Sequence, residues 1–584
     1  MLIIPLLFFI TASLQLKSGF LFVNLHINLF LLKRHRLFLF LLTSICLTAC
    51  NKCSQKPKPV VLVEKPELVN EEVSKLLSEN LGSHDTSEIM VLSEDSLFAT
   101  RLMAEFYETK GFAVAWTDKG LLTAQGDTLL NILKHADLYG LAPEEYHYSK
   151  IDSLIKSSRE GVSKKFDAVK LYEADLFITD GLFKFVVHAS KGRLNPDSLT
   201  REWHPEKLDT NIVAMINSAL LQNTLRNTIN SLEPKSTQYR RLKIALKNYK
   251  YQFRNSSWDS LKSRESDSVT FNDRLRQRLI ASHDYYDIYS GNDSVKLLKS
   301  IKDFQCKHNL VEDGKIGKLT FKALQQTKED VIRQIEMNME RWRWTDEPAE
   351  EEYVWVNIPK FEMHVVEEDT IVMRSRVIVG APKTKTPLIK STIRYFTIYP
   401  YWTVPFSIIT KEILPQLKRD TSYLRRKNFE VLDRNGYVID TMINWKRYSK
   451  NYFPFKLRQR IGDDNSLGIL KFNFNNKYGV YMHDTDNRRL FARENRALSH
   501  GCVRLEKFFD FAKFLVRDDS LRYPVDSLSA DLSREVQKQV NLRKPIPIYI
   551  NYYTVEVDEF MEIHFFNDIY GRDEKMLKEL KLKD

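Results

Sequence analysis

The chain has 584 residues, with 88 Lys and Arg against 76 Asp and Glu and a formal net charge of +12. This length predicts about three or four domains, and an apolar fraction of 43% is sufficient for each to bury a core. The positive charge favours an anionic partner, such as a membrane surface or an acidic polymer. The sequence has no zinc-finger spacing, RNA-binding motif or concentrated basic arm, which argues against a nucleic-acid partner.

The first 50 residues have the pattern of an export signal. The basic segment Lys33–Arg36 precedes an apolar run over residues 37–46, and small residues follow before a cysteine. The string Leu47-Thr48-Ala49-Cys50 resembles a bacterial lipobox, and this resemblance implies cleavage before Cys50 and lipidation of that residue. An ordinary transmembrane anchor is the alternative, because residues 2–32 are also largely apolar. Both interpretations predict an exported protein held at a membrane.

The next two segments predict a tether and a helical domain. Residues 51–88 are polar, with Lys-Pro repeats, and predict a flexible tether. Residues 89–280 have helical periodicity, and the apolar stretch around Asp175 and Asp180 predicts a largely buried helix. A glycosidase uses two carboxylates as acid and base, and this region has several carboxylates. Nothing in the sequence selects one such pair among them. We therefore expect solvated helix faces and no catalysis in this domain.

Residues 283–327 predict a compact helical unit, and residues 328–350 predict a connecting helix. The pair Asp313-Gly314 marks a tight turn in the helical unit, and the spaced acidic ligands of a calcium loop are absent from its sequence. A plain helical linker is the alternative for this unit. The connecting helix ends in Arg341-Trp342-Arg343-Trp344, which favours domain packing over a sugar-stacking surface.

From Tyr353 onward the apolar period changes from about 3.6 to about 2 residues. Short antiparallel strands therefore predict a mostly β, sandwich-like domain over residues 351–554, and an α+β class for the whole chain. A basic, partly helical insertion interrupts the strands over residues 406–476 and predicts a lid, the alternative being a solvated insert. The charged tail, residues 555–584, is predicted to be helical.

A candidate nucleophile lies at Cys502, and five cysteines in all form no convincing disulfide framework. A reactive thiol needs a base, a lowered pKa, donors for the oxyanion and a grip on the substrate. His483, at the end of a predicted strand, can be the base, and Asp484 or a nearby carbonyl can hold its tautomer. Gly501 leaves the amides near the thiol open, and Arg504 can bind a substrate carboxylate. For an isolated Cys–His pair, a buried structural cysteine would be the simpler interpretation.

The string S-H-G-C-V-R-L at residues 499–505, preceded by Y-M-H-D-T at residues 481–485, resembles the active-site signature of the L,D-transpeptidases. The resemblance is to the YkuD-type catalytic domain. It implies that Cys502 is the nucleophile and His483 the proton donor and acceptor. It also implies an oxyanion and substrate-binding set made of Ser499, His500, Gly501, Arg504 and Asp484.

The resemblance extends to the large, multi-domain members of the family. Residues 89–280 resemble their N-terminal scaffold region, and residues 283–327 resemble a small three-helix peptidoglycan-binding domain. The insertion over residues 406–476 occupies the place of their capping subdomain.

The resemblance implies a cysteine acyltransferase of cell-wall biogenesis. Cys502 is expected to form a thioester with a peptidoglycan tetrapeptide stem, releasing D-Ala, and a neighbouring stem then gives a 3→3 cross-link. An L,D-carboxypeptidase, with water as acceptor, and a non-catalytic wall-binding lipoprotein are the alternatives. No metal or cofactor is expected, because an HExxH motif and a clustered Cys/His ligand set are absent.

The same resemblance predicts partners and location. Peptidoglycan stems and glycan are the expected partners, with membrane contact through lipid or an N-terminal anchor, no nucleic acid and no obligate protein partner. The expected location is the periplasmic side of a bacterial envelope, and carbapenems are expected to acylate Cys502.

Overall fold

The computed structural model describes residues 60–85, 88–160, 165–196, 211–256, 258, 261, 268–345, 347–519 and 521–581. The predicted export segment, with Cys50 and its lipobox, lies outside the described residues. The predicted α+β class is confirmed, with helices dominating the N-terminal part and a β-sheet domain in the C-terminal part. Within the described ranges, no helix is both long enough and apolar enough to cross a membrane.

The helix Ala168–Lys191 is the centre of the N-terminal domain and is buried along most of its length. Asp167 begins it by accepting a hydrogen bond from the main-chain N–H of Val169 at 3.1 Å. Around it lie the helices Pro66–Leu81, Thr100–Thr109, Ala124–Lys134, Tyr148–Ser157, Ile212–Leu221 and Leu225–Ser231, and the 3-10 turns Ala136–Tyr139 and Pro143–Tyr146. Short strands complete the domain: Leu62–Val63, Val91–Leu92, Asp95–Ser96, Thr117–Asp118, Leu121–Leu122, Arg159–Glu160 and Lys165–Asp167.

The helix Pro66–Leu81 corrects the prediction of a flexible tether reaching to residue 88. Val69, Val73 and Leu77 lie on one face of this helix and are fully buried in the core of the N-terminal domain. Burying each of these side chains contributes about 1.5–3 kcal/mol to stability. The polar residues between them are the solvent face of an amphipathic helix, so the segment from Pro66 belongs to the folded domain.

The two buried carboxylates of the central helix have structural roles. Asp175 accepts hydrogen bonds from the Tyr107 hydroxyl at 2.5 Å and from the main-chain N–H of Trp116 at 2.9 Å. Asp180 accepts one from the main-chain N–H of Ala99 at 2.7 Å. Burial raises the pKa of Asp175 to about 6, because the charged form loses its hydration. Both carboxylates therefore tie neighbouring segments to the central helix, although the prediction had placed such groups on solvated faces.

A small helical unit follows, with the helices Ser268–Ala281, Asp293–Lys307 and Lys318–Leu324. Its first helix precedes the predicted boundary at residue 283, since Leu275 and Leu279 belong to the apolar core of this unit. The Gln305 side chain organises the turn noted in the sequence. It donates to Asp313 Oδ1 at 3.0 Å and accepts from the main-chain N–H of Gly314 at 2.9 Å.

Two further helices join the N-terminal part to the sheet domain: Thr237–Gln252 and Lys328–Trp342. The Trp342 ring stacks on Trp355 of the sheet, with centroids 5.9 Å apart, and on Tyr553, with centroids 4.5 Å apart. Arg343 is buried in an ion pair with Glu340 at 2.8 Å. The prediction that this Arg-Trp string packs domains together is confirmed.

Nine strands form the main sheet: β1 Glu352–Asn357, β2 Glu362–Glu367, β3 Thr370–Gly380, β4 Ile389–Ile398, β5 Leu470–Phe474, β6 Met482–His483, β7 Ala497–Ser499, β8 Val503–Leu505 and β9 Lys538–Asn551. Neighbours follow the order β7-β3-β8-β6-β5-β4-β9-β1-β2, and β2 also pairs with β3. This additional pairing closes the sheet into a barrel-like form, with an apolar interior. The helices Phe508–Val516 and Val525–Ser533 pack on this core.

The insertion between β4 and β5 has its own apolar core and a three-stranded sheet. Its strands are Trp402–Thr403, Phe429–Leu432 and Lys456–Gln459. Its helical segments are Phe406–Ile408, the π-helical turn Ile409–Ile413, Leu414–Arg419, Tyr423–Arg426 and the 3-10 turn Trp445–Arg447. The predicted end of the insertion at residue 476 is wrong, because β5 is a central strand of the main sheet. The polar residues of β5 alternate with buried ones, and in the sequence they resembled a continuation of the basic insertion.

The predicted helical tail, residues 555–584, contains a β-hairpin before its helix. The strands Val555–Val557 and Ile563–Phe565 precede the helix Arg572–Lys581. Val555 and Phe565 are buried against the two helices that join the domains. The hairpin is therefore part of the folded body, and the charged residues that surround it in the sequence obscured its short apolar alternation.

Candidate active site

Three adjacent strands place a row of ionisable side chains next to one another. Lys471 of β5 lies opposite His483 of β6, and His483 lies beside Arg504 of β8. Residues paired across neighbouring strands point to the same face of a sheet, and side chains alternate along each strand. Tyr481 and Cys502, two residues before His483 and Arg504, therefore share this face. We call these five residues the thiol face.

The intervening residues of the same strands point into the core. Phe472, Met482 and Val503 are fully buried in the apolar interior of the sheet domain. On the thiol face, His483 is only 4% exposed, whereas Cys502 is partly exposed. The apolar core thus fixes the strands from one side, while a substrate can reach the sulfur from the other.

The turn before Cys502 is ordered by hydrogen bonds. Ser499 Oγ donates to the Cys502 carbonyl at 2.6 Å and accepts from the Gly501 N–H at 3.1 Å. Thr386 Oγ1 donates to the Gly501 carbonyl at 2.9 Å. Gly501 has a φ of +121°, which residues with a Cβ rarely adopt. Ser499 therefore organises the turn, and the Gly501 amide is bonded to Ser499 and not open to an oxyanion, contrary to our prediction.

Burial controls the protonation of the thiol and the imidazole. It raises the pKa of Cys502, although hydrogen bonds from Tyr481 and the charges of Lys471 and Arg504 act in the opposite direction. Burial, together with the positive charge of Arg504, lowers the pKa of His483 to about 3. The resting pair is a neutral thiol and a neutral imidazole, and a neutral imidazole can accept a proton.

These shifts predict an unusual pH profile for alkylation of Cys502. The thiolate is the reactive form, and a raised pKa reduces its population at neutral pH. We expect the iodoacetamide rate at Cys502, measured by peptide mass mapping, to keep rising above pH 9. No inflection is expected near pH 6.5, the usual pKa of histidine, because His483 is neutral at every pH well above about 3.

The iodoacetamide rate at Cys306 serves as the comparison within the same chain, because Cys306 is an exposed free cysteine outside the thiol face. A Cys502 rate that is already constant between pH 6 and pH 8 would contradict the neutral pair, since a thiolate–imidazolium pair gives that profile.

Tyr481 is a residue of the site that the sequence analysis missed. Its ring meets the His483 ring edge to face, with centroids 5.6 Å apart. Burial raises the pKa of its hydroxyl, the charge of the Cys502 thiolate acts in the same direction, and the Trp402 side chain acts in the opposite direction. Its place two residues before His483 was the available signal.

Asp484 lies off the thiol face, contrary to its predicted place in the substrate-binding set. Its carboxylate accepts hydrogen bonds from Arg488 at 2.7 Å and from the main-chain N–H of Ile469 at 3.1 Å. Main-chain groups of Asp484 and Leu467 act to raise the pKa of the His483 ring against burial, but its buried Nδ1 has no hydrogen-bond partner among the described residues. The contact that would hold the imidazole tautomer therefore stays a prediction.

Arg504 and His500 occupy different surroundings. Arg504 Nη1 donates to Thr485 Oγ1 at 3.4 Å, and its buried Nε has no hydrogen-bond partner among the described residues. His500 is exposed, and its Nε2 lies 2.7 Å from Glu412 Oε1 in the insertion. His500 thus links the insertion to the turn before Cys502, while the orphaned Arg504 nitrogen fits the predicted binding of an anion.

In the part of the chain that the structure describes, one group of side chains has the spacing of a metal site. Ligand atoms of Asp558, Glu562 and His564 lie within 4.8 Å of one another in the C-terminal hairpin. None of these residues belongs to the thiol face, so the group has no connection with the chemistry of Cys502.

Comparisons with known proteins match two parts of the chain. A scaffold-domain family model matches residues 101–246, and the family model of the L,D-transpeptidase catalytic domain matches residues 351–526. A Haemophilus influenzae protein named "Putative L,D-transpeptidase" is 32% identical over 248 residues, which are 42% of this chain and 49% of the relative. The chain thus spans about half the length of this curated relative.

Two solved structures also match. The L,D-transpeptidase (Yku) from Stackebrandtia nassauensis is 17% identical, with 50% of this chain and 97% of that chain covered and a TM-score of 0.20. The Ldtfm-avibactam carbamoyl enzyme is 10% identical, with 46% and 87% covered and a TM-score of 0.17. The thiol face lies within the residues that the catalytic-domain model matches. Residues 351–526 belong to the L,D-transpeptidase catalytic-domain family, and residues 101–246 belong to the scaffold-domain family.

Proposed function

We propose that this chain is an L,D-transpeptidase that forms 3→3 cross-links between peptidoglycan stems through a Cys502 thioester. The observation that carries the proposal is the placement of a partly exposed Cys502 on the same sheet face as a neutral His483, within the matched catalytic domain. A thiol and a neutral base on the same face are what nucleophilic acyl transfer requires first. A purely wall-binding lipoprotein has no use for this arrangement.

In the proposed acylation, the donor is a tetrapeptide stem with a diaminopimelate-type third residue. His483 takes the Cys502 proton as the sulfur attacks the carbonyl carbon at the L-centre of that residue. The negative charge that develops on the carbonyl oxygen is stabilised by donors near the thiol, among which we place the Tyr481 hydroxyl and the Cys502 amide. The carbon–nitrogen bond then breaks, His483 gives its proton to the amine, and D-Ala leaves.

In the proposed second half, the acyl group passes from sulfur to nitrogen. The side-chain amine of the third residue in a neighbouring stem attacks the thioester, and His483 removes a proton from that amine. The carbon–sulfur bond breaks, and the thiolate recovers a proton from the imidazolium. Water in place of the amine would give a tripeptide stem, which is the product of an L,D-carboxypeptidase.

The remaining domains suit a protein that works on a large polymer. We propose that the small helical unit around Gln305 binds peptidoglycan and that the insertion covers the thiol face. Trp402 of the insertion acts on Tyr481, and Glu412 contacts His500 in the turn before Cys502. The lipobox supports lipidation at Cys50 and a periplasmic, membrane-held location. These assignments rest on sequence resemblance, and detection of a diacylglyceryl group on the N-terminal peptide by mass spectrometry would test the anchor.

The decisive experiment uses the purified full chain and disaccharide tetrapeptide muropeptides. We expect a tetrapeptide–tripeptide dimer with a 3→3 bond and one D-Ala released for each dimer. Liquid chromatography with tandem mass spectrometry identifies the bond, and an enzymatic D-Ala assay measures the release.

The products separate the alternatives. Free tripeptide muropeptide with D-Ala but no dimer would replace the proposal with a carboxypeptidase. No D-Ala release, together with sedimentation of the protein on isolated wall, would replace it with a binding protein.

A further inference from the structure

Lys471 is a cation of the thiol face that has no acidic side chain within ion-pair distance in the described ranges. It lies opposite His483 in the β5–β6 register. Its Nζ lies 4.1 Å from the centroid of the Tyr481 ring, and its side chain is half-buried. An ammonium group that is partly removed from water and unpaired carries a solvation cost, which a bound anion would offset.

The electrostatics of Lys471 agree with this geometry. Burial lowers its pKa, and the Cys502 thiolate is the group that acts in the opposite direction. The aromatic ring of Tyr481 holds the ammonium without neutralising it. Lys471 is thus a half-buried positive charge on the same sheet face as the sulfur.

Arg504, on the other side of His483, also has an Nε that is unpartnered among the described residues, but a carboxylate acts on its charge. The Asp486 carboxylate is the first charge that raises the pKa of Arg504 against burial, and Thr485 accepts a hydrogen bond from Arg504 Nη1. Lys471 has no comparable neighbour in the described structure. Of the two cations that flank His483, Lys471 is therefore the one on whose pKa no carboxylate of the described residues acts.

We propose that Lys471 binds a carboxylate of the substrate beside Cys502, so that the site selects acyl donors with a free carboxylate close to the scissile carbonyl. The identity of that donor rests on the proposed function. In a tetrapeptide stem the carboxylate of the terminal D-Ala lies three bonds from the carbonyl carbon that the sulfur attacks. A cation one strand away from His483, at roughly 5 Å between strands, is within reach of such a group.

The test compares two alkylating agents that differ only in this charge. Iodoacetate carries a carboxylate and iodoacetamide is its neutral counterpart, and both modify the thiolate of Cys502. Any effect of Lys471 on the thiolate population is common to both reagents and cancels in the ratio of their rates. The ratio at Cys502 is measured at low ionic strength by peptide mass mapping of the full chain, with N-acetylcysteine as the reference thiol.

For the wild-type chain we expect an iodoacetate to iodoacetamide ratio about tenfold above that of N-acetylcysteine. Lys471→Met should lower this ratio about five- to twentyfold, and Lys471→Arg should retain most of it. Lys477→Met is the matched control, because Lys477 also lies over a tyrosine ring, that of Tyr478, but is exposed and off the thiol face. This control should leave the ratio unchanged.

Two results would overturn the inference. One is a wild-type ratio no higher than that of N-acetylcysteine, a result that needs no variant to fold. The other is a folded Lys471→Met protein, verified by circular dichroism, in which both rates fall equally and the ratio persists, since Lys471 would then act only on the thiol. D-Ala release plays no part in this measurement, so failure of the proposed function would be recognised separately.

Discussion

We expect the Cys502→Ala variant to lose D-Ala release from tetrapeptide muropeptides by more than about 10³-fold while it stays folded. Without the sulfur there is no thioester, so both half-reactions stop. Alanine removes one partly exposed atom from a turn that Ser499 and Thr386 hold through main-chain groups. The melting temperature should therefore change by no more than about 2–4 °C.

The same variant tests whether Cys502 is the acylated residue. Intact-mass measurement after incubation with a carbapenem should give one adduct on the wild-type chain and none on Cys502→Ala. Cys306→Ala is the matched control and should keep both the adduct and turnover, because Cys306 is outside the thiol face. An adduct that persists on Cys502→Ala would place the nucleophile elsewhere.

The second large effect concerns His483. Replacing it with glutamine keeps a polar side chain on β6 but removes the base, and we expect turnover to fall by about 10²–10⁴-fold. Acylation by the carbapenem should slow as well, because the neutral imidazole no longer takes the thiol proton. Stopped-flow fluorescence or time-resolved intact mass would measure the acylation rate.

His500→Gln provides the comparison for His483→Gln. His500 is exposed and interacts with Glu412 of the insertion, so its loss should weaken substrate binding more than the chemical step. If His500→Gln loses far more carbapenem acylation than His483→Gln, the two histidine assignments must be exchanged. Equal, small losses in both would mean that neither imidazole is the base.

Several assignments made from the sequence depended on local patterns and agree with the comparisons. The S-H-G-C-V-R-L string indicated the catalytic-domain family, and the matched family model covers it. Residues 89–280 resembled the scaffold region of the large family members, and the scaffold family model covers most of that segment. The catalytic assignments of Cys502 and His483 stay predictions until the variants are measured.

Two predictions were wrong for the same physical reason: the tether up to residue 88 and the insertion up to residue 476. Both include an element whose apolar residues are few and separated by polar or charged ones. The helix Pro66–Leu81 buries only a single stripe of its residues, so its composition is that of a linker. Strand β5 alternates Lys471 and Asn473 with buried phenylalanines, and it follows a basic insertion. In each case the element is stabilised by packing against distant parts of the chain, which periodicity over a short window cannot reveal.

The sequence by itself determined which candidate groups are present, because the proposed base, the thiol and their neighbours lie within one short stretch from Tyr481 to Arg504. Only the tertiary structure decided which side chains face the sulfur. The register of β5, β6 and β8 brings Lys471 beside His483 and turns Asp484 away toward Arg488. Strand pairing between distant segments sets that register, and a shift of one residue would move every side chain to the other face.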